Sequence, residues 1–179
     1  MPASGASAGA LRAQEADPAL EAGPASEAVT SERCQGPEHR QFDFWLGEWA
    51  VRDPEGRLVG HNSITRVAGG CGLLERWRAA EGGGTGASLN MYEPDRGVWT
   101  QTWAGTGSFL HMAGGLEGES MVMSGDRPRQ TSRGEVLDRI TWSPLEDGRV
   151  RQHWEVSPDG GETWRTLFVG LYERTGPGR

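Results

Sequence analysis

The chain has 179 residues, including 28 Gly, 10 Pro and 8 Trp, and a formal net charge of −7. All 18 of its basic residues are arginine, so a Walker phosphate loop, a Schiff base or a lysine-dependent acyl transfer has no residue to work with. The acidic balance argues against nucleic acid or an anionic membrane surface as partner, and no apolar run approaches the roughly 18 residues that span a bilayer.

Residues 1–36 are mainly Ala, Gly, Ser, Pro and Glu, with no aromatic side chain. Leu11, Leu20 and Val29 are too few to offset the entropy of ordering, so a disordered tail is expected. The stretch Ala8 to Ala16 (AGALRAQEA) has the small-residue character of a signal-peptide end, yet neither a basic start nor a continuous apolar stretch precedes it. A plain tail and the remnant of a longer leader both remain open. The two cysteines, Cys34 and Cys71, fit no metal spacing. A disulfide between them would close a loop of about 37 residues and contribute about 3–4 kcal/mol; the other reading is two free thiols in a reducing compartment. The compartment divides accordingly: cytoplasmic on the sequence as given, periplasmic or secreted if the start is truncated and the disulfide forms.

From residue 37 the texture changes. Pro37 to Leu46 reads as one short helix, with proline at the first position, Glu38 in the first turn, and Phe42, Trp45 and Leu46 on one apolar face. Gly47 suits the residue after the helix. The period then drops to two, beginning with Trp49 and Val51, and short strands follow with turns every 8 to 12 residues. These are Arg57 to Val67, Leu73 to Ala79, Ala87 to Tyr92, Val98 to Ala104 and Ser108 to Leu116. Met121 to Met123, Val136 to Trp142, Val150 to Val156 and Trp164 to Glu173 complete the series, with an arginine-rich loop from Gly125 to Gly134. The expected fold is all-β: an antiparallel up-and-down barrel of about ten strands over residues 37–175, a short N-terminal capping helix, and a tail at 176–179.

The segment Phe44-Trp45-Leu46-Gly47-Glu48-Trp49 places Gly-x-Trp after a short helix and at the start of the first strand. This opening resembles that of the lipocalin and calycin barrels, including the ten-stranded nitrobindin-like members. The resemblance implies that Trp49 plugs the closed end and that Arg174, just after the last strand, packs over it. The opening FDFWLGEW, the segment GGCGLLERW and the closing SPDGGETW…GLYER are also similar to an uncharacterised bacterial family, over roughly residues 37–174. Nitrobindin-like proteins bind haem through a histidine near the C-terminus. Here the last histidine is His153, so the chain departs from that pattern and no haem or other cofactor is expected.

Ser157-Pro158-Asp159-Gly160-Gly161-Glu162-Thr163-Trp164 fits the Asp-box pattern of sialidase propellers. Its physics is a structural hairpin: Ser157 and Asp159 bond turn amides, Gly161 takes a positive φ, and Trp164 covers the turn. It occurs once, so a propeller is not expected.

Alternation suggests what lines the barrel. Leu73, Glu75 and Trp77 share a face opposite Leu74, Arg76 and Arg78, and the arginine face belongs in water. Carrying the tryptophan-bearing faces inward adds Asn90 and Tyr92, then Gln101 and Trp103, then Gln152 and Trp154. Aromatic walls with a few amides and one carboxylate describe a small-molecule site, since unpaired buried amides and carboxylates are costly. The alternative is a solid core in which Asn90 and Gln101 satisfy each other and Glu75 pairs with Arg139 or Arg151. No HxH, HExxH or nucleophile elbow occurs, and no metal site is expected. Gly82-x-Gly84-x-x-Ala87 precedes a strand rather than a helix, which removes it as a dinucleotide motif.

The favoured reading is therefore a barrel that binds a small, partly apolar or aromatic organic molecule. Two others stay open. One is an isomerase- or lyase-type enzyme using Glu75 or His111, helped by Tyr92 or Tyr172, inside the same barrel. The other is an interaction protein with a solid core. The ligand's identity and the oligomeric state are not legible.

Overall fold

From Gly47 onward the period-two alternation is realised as antiparallel strands, because each strand has one face to bury and one to leave in water. The structure, a computed structural model, describes residues 34–176; of the tails expected at 1–36 and 176–179, residues 1–33 and 177–179 lie outside them. β1 (Gly47–Arg52), β2 (Leu58–Val67), β3 (Gly72–Ala79), β4 (Thr85–Glu93), β5 (Val98–Gly105), β6 (Ser108–Glu117) and β7 (Ser120–Gly125) form a continuous meander. The short β8 (Arg129–Thr131) is followed by β9 (Gly134–Pro144), β10 (Val150–Ser157) and β11 (Arg165–Arg174). β9 pairs with both β7 and β10, and β11 pairs with β1, so ten strands close the barrel. The all-β, ten-stranded architecture expected from the sequence is present.

Two local details differ from the sequence reading. The arginine-rich loop contains β8, which pairs with the start of β9 from Arg129 opposite Val136 to Thr131 opposite Gly134. The single N-terminal helix is instead two 3₁₀ turns, Pro37–Arg40 and Asp43–Trp45, separated at Phe42. The physical reason lies in the plug they form. A 3₁₀ turn nearly eclipses residues three apart, and Phe42 stacks on Trp45 with ring centres 4.8 Å apart and an interplanar angle of 18°. Both rings are buried and meet Trp142, at 5.3 and 5.4 Å. Trp99 holds the segment down, its indole N–H donating to Glu38 O at 3.2 Å and Gln41 Oε1 at 3.1 Å.

Trp49 completes this end. It is 1% exposed, and its Nε1 donates to Trp45 O at 2.9 Å. The Arg174 guanidinium lies 4.3 Å from the centre of the Trp49 ring and donates to Leu46 O at 3.0 Å. Gly47 has a φ of +135°, and a Cβ there would stand 2.5 Å from Arg174 Nη1. The glycine of Gly-x-Trp thus answers to its positive φ, and a side chain there would also have to move the arginine that covers the tryptophan. Cys34 and Cys71 form a disulfide that ties the start of this segment to the turn before β3.

Candidate functional site

Above the aromatic plug the barrel is not filled. A cavity of about 250 Å³ remains, and Trp142, which contacts the plug, also lines it. Trp77 on β3, Trp103 on β5, Trp154 on β10 and Phe168 on β11 supply further aromatic lining. Leu110 on β6 and Ile140 on β9 supply the aliphatic part. Glycines make room for two of the indoles. A Cβ at Gly60 would be 2.3 Å from Trp77 Cη2, and one at Gly86 would be 2.3 Å from Trp103 Cη2. Each ring lies over a neighbouring strand where a side chain has been deleted.

A chain of polar side chains crosses the wall from β10 to β5. The Tyr172 hydroxyl donates to Gln152 Oε1 at 2.7 Å and accepts from Asn62 Nδ2 at 3.3 Å. Asn62 Nδ2 also donates to Glu75 Oε1 at 2.7 Å. Ser88 Oγ donates to Glu75 Oε2 at 2.6 Å. Asn90 donates to Ser88 Oγ at 2.9 Å, and Gln101 Nε2 donates to Asn90 Oδ1 at 2.8 Å. Because Ser88 Oγ accepts from an amide, its own proton is free to point at the carboxylate. Glu75 is therefore where donated bonds from both directions converge.

Burial pushes the Glu75 carboxyl above its ordinary range, against the lowering effect of the bonds from Ser88 and Asn62. The Tyr172 hydroxyl is pushed up by burial and by the nearby Glu75 charge. Not all polar capacity is used: Gln101 Oε1 and Gln152 Nε2, both on residues that line the cavity, have no partner among the described residues. Asn62 Oδ1 and Trp142 Nε1 are buried without a partner as well.

Glu75, Trp77, Gln101, Trp103, Gln152 and Trp154 are brought together around the cavity. Asn90 is buried behind Ser88 and outside the lining, and Tyr92 sits toward the plug, edge-on to His39 at 5.2 Å. His111 alternates with the buried Leu110 and Met112, pairs with Thr102 on the outer face, and is absent from the cavity lining. Arg139 bonds Glu155 rather than Glu75, so the internal ion pair considered from the sequence is replaced by Asn62 and Ser88. The Asp-box turn forms as a local network: Ser157 Oγ accepts from Gly161 N at 2.8 Å, Asp159 Oδ1 from Thr163 N at 2.8 Å, and Arg139 lies 4.0 Å over the Trp164 ring. Bonds from Thr163 and Ser157 lower the Asp159 carboxyl to about 2.

Sequence reasoning did not pick out Asn62, Asp138, Trp142 or Phe168. The β9 alternation Asp138, Ile140, Trp142 against Arg139 and Thr141 could have found two of them. Asp138 is 3% exposed and receives a two-pronged bond from Arg129, at 2.9 and 2.8 Å, plus the Trp154 indole N–H at 2.8 Å. The arm containing β8 is thereby tied to a cavity-wall tryptophan.

No group of three or more metal-ligating side chains exists among the described residues. No histidine lines the cavity, so the axial ligand that a nitrobindin-like haem site needs has no counterpart there. Comparison with known proteins finds no family model that matches the chain and no curated protein that matches it.

Proposed function

We propose that this protein binds a small, partly apolar or aromatic organic molecule inside a calycin-like barrel. The carrying observation is the unfilled cavity itself: aromatic lining on several strands, together with Gln101 Oε1 and Gln152 Nε2 left without a protein partner, favours an enclosed ligand over a solid core. The plug of Trp49 under Arg174 and the closed ten-strand meander support the calycin comparison. A catalytic role for Glu75 gains less support, since both its oxygens already accept protein hydrogen bonds and the Tyr172 proton is directed to Gln152. The disulfide supports an oxidising compartment, periplasmic or extracellular.

Two measurements test the reading. Mass spectrometry of natively purified protein is expected to show a co-purifying small molecule. Tryptophan fluorescence is expected to shift or quench on addition of aromatic compounds, with the response reduced in Trp103→Leu. An emission spectrum indifferent to a broad compound library, with no co-purifying mass, would mean a solid barrel.

A further inference from the structure

The cavity has an electrostatic asymmetry that narrows its ligand. Its titratable lining groups are Glu75 and Tyr172; no arginine or histidine lines it, and the chain has no lysine. The other buried carboxylate, Asp138, is neutralised by Arg129, whereas Glu75 has no cation beside it among the described residues. Amide and hydroxyl donors solvate the Glu75 charge only in part. A carboxylate offers about four acceptor sites, and each Glu75 oxygen receives one protein bond. A buried charge left in this condition is costly unless something else compensates it. The surrounding indoles point the same way, because the face of an aromatic ring attracts positive charge, most strongly for tryptophan.

Resting on the ligand-binding reading above, we infer that the ligand is an organic cation: a protonated amine or quaternary ammonium on a small apolar or aromatic body. Its charge is placed toward Glu75 and its body against Trp77, Trp103 and Trp154. The unpaired Gln101 Oε1 is a further acceptor for an ammonium N–H. A carboxylate or phosphate ligand would meet the Glu75 charge with no lining cation to offset it. Burial already holds the Glu75 carboxyl above its usual range, and a bound cation would draw it back down.

The test is calorimetry on the full-length protein at neutral pH with phenethylamine, its neutral counterpart 2-phenylethanol, the anion 3-phenylpropionate, and benzyltrimethylammonium. Phenethylamine is expected to bind at least about tenfold more tightly than 2-phenylethanol, and 3-phenylpropionate most weakly. Benzyltrimethylammonium should keep much of the advantage, because ring faces and a carboxylate need no N–H. In Glu75→Gln the preference for the amine should collapse while 2-phenylethanol binding holds. Trp103→Leu, which leaves the carboxylate in place, should weaken the amine more than the alcohol, and the wild-type ranking stands on its own if the Gln variant fails to fold. Equal binding of amine and alcohol, or a preference for the acid, overturns the cation inference and leaves the cavity reading intact. A preference for the amine that survives Glu75→Gln also overturns it. Binding of none of the four compounds overturns both.

Discussion

Glu75 converts a feature of the cavity into a measurable property of the whole protein. Its carboxyl is raised in the folded state by burial, so the folded protein holds that proton to higher pH than the unfolded chain does. The sign follows: the stabilising contribution is complete below the ordinary carboxylate range, near about pH 4, and is lost as pH rises through the raised folded value. Denaturant titrations across that window should show the unliganded wild type losing stability with pH relative to Glu75→Gln. Parallel stability curves would mean that Glu75 is as well solvated inside the barrel as outside it. Gly86 offers a second residue-level test. Its missing Cβ is where the Trp103 ring lies, so Gly86→Ala must displace the indole. We expect a cost of about 1–3 kcal/mol with a changed near-ultraviolet circular dichroism spectrum; an unchanged spectrum and stability would show that the ring does not rest there.

At the scale of elements, the strand faces that the sequence revealed are those with a simple alternation. Glu75 and Trp77 stand against Arg76 and Arg78, and Gln101 and Trp103 are flanked by threonines, so their inward direction was legible. Asp138 obeys the same alternation with Ile140 and Trp142, but the partner that neutralises it, Arg129 on β8, is not legible from the pattern of β9 alone. The role of Gly60 and Gly86 was not legible, because nothing in a linear pattern indicates that a ring from the neighbouring strand covers them. The short helical segment before β1 was legible from periodicity, which reports which residues share a face; its 3₁₀ form was not, because stacking Phe42 on Trp45 inside the barrel end imposes it. The arm containing β8 carries its own prediction. Arg129→Met leaves Asp138 buried with only the Trp154 N–H as donor, and should cost about 2 kcal/mol. The same substitution in an Asp138→Asn background should cost much less, and additive losses would show that the two side chains act independently.

For the molecule as a whole, the disulfide determines how firmly the plug is attached. Cys34 precedes both 3₁₀ turns and Cys71 precedes β3, so the bridge spans a sequence separation of 37 residues that includes Phe42, Trp45, Trp49, β1 and β2. Loop-closure entropy over that length amounts to about 4 kcal/mol in the unfolded chain. For a domain of this size that corresponds to a melting temperature lower by about 10 °C on reduction. The plug is also the floor of the cavity through Trp142, so reduction should do more than lower the melting point. Freed at Cys34, the segment keeps the Trp99 bonds to Glu38 and Gln41 but loses its covalent tie, and hydrogen exchange at Phe42 to Trp45 should rise before exchange in β3 to β5 does. Scanning calorimetry of oxidised and reduced protein, with the Cys34→Ala, Cys71→Ala double variant as the reduced-state control, measures the first effect. Exchange mass spectrometry measures the second. Equal melting points would remove the disulfide as a stabilising element, and uniform exchange across plug and strands would show that the two unfold as one unit rather than plug first.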